Sequence, residues 1–262
     1  MNTPVKPHLW FGTSGLVLPV PNKQAFPPEF RAGTRLTFYA SLFNSLEVNS
    51  SFYKIPLPNT FSKWTTEVPE DFRFTVKLWQ GISHEPQLSF KPADVDKFMH
   101  AANQLGTKKG CLLIQLPPSL RADKADELRR LLEQIKKSDQ QQSWNLAVEF
   151  RNRTWYIPEI ENLLSQFQTT RVLHDMPASK IMETTGNLLF VYLRFHGPAG
   201  DYKGGYSKDT LKEYAELIHK WQAAGKEVYV YFNNTIGDAI IDLETLRKLT
   251  LNNPRLKADA HK

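Results

Sequence analysis

One cysteine among 262 residues is the first constraint. Cys111 sits in the apolar run Cys111-Leu112-Leu113-Ile114, so there is no disulfide framework and no thiolate cluster for a metal. A reducing, cytoplasmic setting is the expectation. Long hydrophobic runs are missing too, because no window approaches the ~20 apolar residues of a membrane helix. The opening Met1-Asn2-Thr3-Pro4-Val5-Lys6-Pro7 has no apolar secretory segment, so no membrane contact is expected. Repeats and low-complexity tracts are lacking, which excludes solenoids and propellers. The formal charge of +6 favours anionic ligands, small molecules or nucleic acid. Lys and Arg are nevertheless scattered, and no stripe suggests a protein partner.

What is present is a recurring strand grammar. Ser45-Leu46-Glu47-Val48-Asn49, Phe72 to Lys77, Cys111 to Gln115, Leu146-Ala147-Val148-Glu149-Phe150-Arg151, Val191 to His196 and Val228 to Asn233 each alternate an apolar face with a polar one. His8 to Gly12 and Val172-Leu173-His174-Asp175 supply two further short runs. Between them lie helical patterns over 34–43, 60–66, 94–105, 123–137 and 208–224, with others starting near Pro158 and Gly237. The best of these carries Leu128, Leu131, Leu132 and Ile135 on one face. The Pro-rich connection from Pro19 to Pro28 is expected to pack over a barrel end with Trp10, Phe11 and Phe26. About eight strands alternating with helices predict an α/β fold, a TIM (β/α)8-type barrel forming one domain over 1–262. A doubly wound open sheet is the alternative.

Several motifs stand in register along the chain: Gly12-Thr13-Ser14-Gly15, Glu47-Val48-Asn49-Ser50-Ser51-Phe52-Tyr53, Gln115-Leu116-Pro117-Pro118, Glu149-Phe150-Arg151 with Trp155, Arg194-Phe195-His196-Gly197 and Tyr231-Phe232-Asn233-Asn234-Thr235. In order and spacing they resemble the YecE-like family, domain of unknown function 72. The resemblance implies a TIM barrel and no settled reaction. Leu16 to Pro21 departs from the family pattern in the first loop, and Ser83-His84 replaces a Thr before the histidine.

Alternation sends Glu47, Asn49, Lys77, Gln115, Glu149, Arg151, Arg194, His196, Tyr231 and Asn233 toward the lumen, at the carboxyl ends where such barrels keep their chemistry. Charges gathered there must pair, hydrate or bind. Glu149 with Arg151 or Arg194, and Glu47 with Lys77, are the pairings expected. The first functional expectation is an enzyme, a hydrolase or lyase, acting on a phosphorylated or phosphodiester substrate. Glu47 or Glu149 would serve as general base and His84 or His196 as acid. Lys77, Arg151 and Arg194 would hold oxyanions, joined in binding by Asn49, Tyr53, Gln115, Asp175, Tyr231, Asn233 and Asn234. The glycine-rich loop from Gly197 to Gly205 is a candidate phosphate cradle. One alternative is a non-catalytic nucleic-acid module that stacks bases on Trp79, Trp155, Tyr53, Tyr202 and Tyr206. Another is a divalent-metal hydrolase with Glu47, Glu149, Asp175 and a histidine as ligands, although no compact metal motif appears and three cations crowd the same mouth. A glycosidase built on the Glu pair ranks below these. No cofactor is named by the sequence.

Overall fold

The computed structural model describes residues 8–139, 141, 143–184 and 190–251. The residues before and after these, and part of the irregular stretch expected over 176–186, lie outside the described residues. The strands are β1 (Leu9–Thr13), β2 (Ser45–Val48), β3 (Arg73–Lys77), β4 (Lys109–Gln115), β5 (Asn145–Glu149), β6 (Thr170–Arg171), β7 (Leu173–His174), β8 (Phe190–Phe195) and β9 (Glu227–Phe232). They pair in parallel in the orders β2-β3-β4-β5-β6 and β1-β9-β8-β7. β6 and β7 are one barrel position broken at Val172, whose N–H still reaches Val148 O at 2.9 Å. The expected sixth strand over 172–175 therefore starts earlier and is split between the two sheets.

The other seam, between β1 and β2, is closed largely by side chains. Asn44 Oδ1 accepts from Phe11 N–H at 2.8 Å and its Nδ2 donates to Leu9 O at 2.9 Å, imitating a neighbouring strand. Tyr39 OH accepts from Thr13 N–H at 2.7 Å and donates to Ser45 O at 3.0 Å. A single bridge, Ser14 to Glu47, completes the circle. Gly12 makes this approach possible, since a Cβ there would lie 2.1 Å from Ser45 O. The result is a closed TIM-type barrel of eight strand positions, with only the short turn Pro177–Ser179 described between β7 and β8.

Outside it run Arg35–Leu42, Pro58–Thr66, Pro92–Ala102, Ala125–Ser138, Pro158–Gln166, Lys208–Ala223 and Ala239–Leu251. Ala125–Ser138 buries the four predicted residues, with Asp126 and Glu127 in its first turn and Lys136 and Lys137 in its last, matching the helix dipole. Each fully buried Leu or Ile contributes about 1.5–3 kcal/mol, so this face anchors the helix. Phe26 of the Pro-rich connection packs on the first of these helices, its ring meeting Phe38 at 4.8 Å. No described helix is long and apolar enough to cross a membrane.

Alternation sorts the two faces of the strands. Leu46, Val48, Val76, Val148 and Phe150 turn outward to the helices, while Trp10, Cys111, Leu113, Ala147, Tyr192, Tyr229 and Tyr231 fill the lumen. Tyr231 OH bonds Ser45 Oγ at 2.6 Å and Thr75 Oγ1 at 2.7 Å. Polar character thus rises through the barrel toward the carboxyl rim.

Candidate active site

Arg194, near the end of β8, is the hub. Its Nε donates to both Glu47 oxygens at 3.2 and 3.1 Å, Nη2 to Glu47 Oε1 at 2.8 Å and Ser14 Oγ at 3.0 Å, and Nη1 to Glu149 Oε2 at 2.9 Å. Glu47 also accepts from Ser14 and Tyr192 hydroxyls, and Glu149 from Arg151 Nε. Residues far apart in sequence meet because Gln115 stands beside Glu149, and Arg194 beside both His174 and Tyr231, in the ladders.

All three hub side chains are buried, which makes their balance decisive. Burial pushes both carboxyls up, but Arg194 outweighs it at Glu47, and Arg151 with Arg194 does so at Glu149, so both stay below the usual carboxylate range. Burial likewise opposes the Arg194 charge, and Glu47 and Glu149 overcome it. Both carboxylates are thus ionised and bound up in the hub, a setting that lowers their basicity relative to a free carboxylate.

His196 hangs from the same net. Its backbone N–H and its Nδ1 face Asp175 Oδ1 at 2.8 and 3.2 Å, and Tyr206 OH donates to the other Asp175 oxygen. Nε2 lies 2.9 Å from Arg151 Nη2, 3.1 Å from Arg194 Nη1 and 3.4 Å from Glu149 Oε1; the two guanidinium donors favour Nε2 as acceptor, with the hydrogen on Nδ1 toward Asp175. His84 is pushed down to about 4 by burial and then by Lys77 and Arg151, so it is neutral at pH 7.

Lys77 differs from every other charge in the mouth. It ends β3 at 8 % exposure with its Nζ 4.0 Å over the Phe52 ring. Among the described residues no carboxylate pairs with it and no hydrogen bond reaches its ammonium, so the expected Glu47–Lys77 pair gives way to Glu47–Arg194. Burial first, and then Arg194, lowers its pKa from 10.5 to about 7, against the weaker pull of Glu149 and Glu47, which lie too far away to form an ion pair with it. Gln115 and His84 stand 3.5 Å apart nearby. Asn49 donates to Ser14 Oγ at 2.6 Å and keeps a buried, unpartnered Oδ1. Asn233 follows β9 with its backbone bonded to Phe195 O at 2.7 Å and, among the described residues, no partner for its carboxamide.

Three expected site residues fall elsewhere. Tyr231 is enclosed one layer down, and Tyr53 is 70 % exposed outside the ring. Asn234 donates to Gly204 O at 2.9 Å and Asp242 at 2.8 Å, pinning the glycine loop. The loop itself turns inward: the N–H groups of Gly197, Gly200, Tyr202 and Lys203 go to Tyr206, Gly197, His196 and Asp201. Those amides are spent, which counts against the phosphate cradle. Ser14 and Tyr192 are the functional neighbours that sequence reasoning missed, and Tyr206, expected only as a stacking aromatic, instead donates to Asp175. Tyr192 precedes Arg194 by two on the same face, so alternation alone would have found it.

Glu149, His174 and His196 each offer an atom within 4.8 Å of the others, the spacing of a metal site. The chemistry of the donors fits poorly. Arg151 and Arg194 already occupy Glu149 and the His196 lone pair. His174 accepts from Met176 N–H at Nδ1 at 3.3 Å and faces Phe150 O at 3.1 Å with Nε2, so its available nitrogen carries hydrogen. A cation there would displace two cations and require a tautomer change.

The model of a protein of unknown function, DUF72, matches residues 10–261. This chain belongs to the DUF72 family. Among curated proteins it is 29 % identical over 252 residues to UPF0759 protein YunF of Bacillus subtilis, covering 83 % of this chain and 86 % of YunF. A DUF72 family protein from Thermotoga maritima superposes with a TM-score of 0.75 at 25 % identity, over 94 % of this chain and 100 % of that one. An AP endonuclease, family 2, from Brucella melitensis shares the fold with a TM-score of 0.53 at 13 % identity, covering 87 % and 92 %. The DUF72 barrel thus has its polar hub at the rim where barrels of this kind hold substrates.

Proposed function

We propose that the mouth is the active site of an enzyme that acts on a phosphorylated or phosphodiester substrate, with Lys77 as both phosphate anchor and proton donor. The observation that carries this reading is the unpaired Lys77 ammonium beside a hub whose acids and guanidinium groups already balance each other. A buried charge without a partner is costly to keep, and an incoming anion removes that cost. Arg151, half-buried, and the carboxamides of Asn233 and Gln115 add donors around the same opening. The pKa near 7 of the empty mouth rises when an anion binds, so Lys77 takes up a proton with the substrate and holds it for the departing oxygen. In hydrolysis the ester P–O bond breaks and the Lys77 proton goes to the departing oxygen. Water forms the new bond to phosphorus and releases a proton to solvent. The fold shared with an AP endonuclease is compatible with a phosphodiester and adds nothing about residues.

The test is binding and turnover of glycerol 2-phosphate and ethyl phosphate, whose alkoxide leaving groups need a proton, by the wild type, Lys77→Met and Lys77→Arg. Turnover should vanish in Lys77→Met. In Lys77→Arg binding should persist while turnover falls at least a hundredfold, because guanidinium does not give up its proton near neutral pH. Equal phosphate binding by the wild type and Lys77→Met removes the reading.

A further inference from the structure

A cleft of about 520 Å³ opens on the rim beside β3, lined in part by Tyr53, Lys54, Leu57, Trp79, Asp94 and Lys97. Its volume falls within the roughly 300–1,000 Å³ of small-molecule sites. It touches the mouth through one ring: Tyr53 stands edge-on to Phe52 at 5.2 Å, and Phe52 is the ring beneath Lys77 Nζ. Trp79, two residues beyond Lys77, is partly buried against the core. A Cβ at Gly81 would lie 2.4 Å from the indole, so glycine lets the ring lie across that turn. Among the described residues neither Trp79 Nε1 nor the Tyr53 hydroxyl has a hydrogen-bond partner. Two aromatic faces with free polar tips, one partly buried and one exposed, suit a flat ring bearing donors and acceptors. The mixed charge of Lys54, Lys97 and Asp94 suits the edge of such a ring better than a second phosphate or a polyanionic chain.

We propose that this cleft takes the heteroaromatic base of a mononucleotide whose phosphate lies at Lys77. The inference rests on the Lys77 reading for the phosphate, and on the cleft alone for the base. Aromatic stacking of a base is worth about five- to hundredfold in affinity.

Calorimetric titrations with adenosine 5′-monophosphate, ribose 5-phosphate and adenosine separate the two parts. The wild type should bind the mononucleotide at least about fivefold more tightly than ribose 5-phosphate. Tyr53→Ala, at an exposed position that folding does not need, and Trp79→Leu should erase that preference while leaving ribose 5-phosphate unchanged. Lys77→Met should weaken both phosphates and spare adenosine. If the two phosphates bind equally and Lys77→Met weakens both, the base site is refuted and the anchor stands. If adenosine binding depends on Tyr53 while phosphate adds nothing, the base site stands and the anchor fails. Absence of binding by all three overturns both.

Discussion

Replacing Lys77 by Met should make the protein more stable while silencing it. Met keeps an unbranched stem of similar length over Phe52 and removes the charge. A fall in pKa from 10.5 to about 7 corresponds to roughly 5 kcal/mol of native-state cost at about 1.36 kcal/mol per unit. Relaxation and water at the rim reduce this, so a gain of about 2–3 kcal/mol is expected at pH 6, or roughly 5 °C in melting temperature. The sign follows from linkage. Below about pH 7 the ammonium is charged in both the native and the unfolded chain, and the full cost is present. Between about 7 and 10.5 the unfolded chain holds the proton and the native one does not, so the wild type gains on the variant as pH rises. Urea unfolding of both proteins at pH 6, 8 and 10 measures the difference directly. A gap that does not narrow with pH, or a Met variant less stable at pH 6, would show that Lys77 is neither strained nor poised.

Phosphate binding should weaken above about pH 7 and take up a proton, since an anion beside Lys77 raises its pKa; calorimetry in buffers of different ionisation enthalpy reads the uptake. Arg194→Ala should cost about 3–5 kcal/mol in urea unfolding, because Glu47 would be left buried with no cationic partner and Glu149 would keep only Arg151. Gly12→Ala should cost about 3 kcal/mol by the same assay, through the clash with Ser45 O. Asn44→Ala should lose about 2 kcal/mol and speed hydrogen exchange at the Phe11 amide, which loses its acceptor.

Much of the barrel and its hub was legible in the sequence because a period of two leaves little freedom. Once Leu46, Val48, Val148 and Phe150 were assigned outward, Glu47 and Glu149 had to meet inside, and they do. Which charges would pair was not legible. Glu47 could equally have taken Lys77, and only the closeness of β8 to both acids gives it Arg194. The seam residues Asn44 and Tyr39 were invisible for a similar reason, since nothing local distinguishes a side chain that substitutes for a strand. Residue type alone also hides the surroundings of the two histidines: His84 is pushed down to about 4 by burial first and then by Lys77 and Arg151, and His196 Nε2 faces two guanidinium groups.

The braced seam also bears on the order of assembly. β1 forms its continuous ladder with β9, and it meets β2 through one bridge and a few side chains. During synthesis the edge of the first strand that pairs with β9 therefore waits, unsatisfied, until Glu227–Phe232 has been made, while the sheet from β2 to β6 can form from sequential neighbours. Closure is the most non-local event in the chain and, by contact order, a slow one. A ribosome-stalled fragment ending before Glu227 should expose that waiting strand to proteolysis.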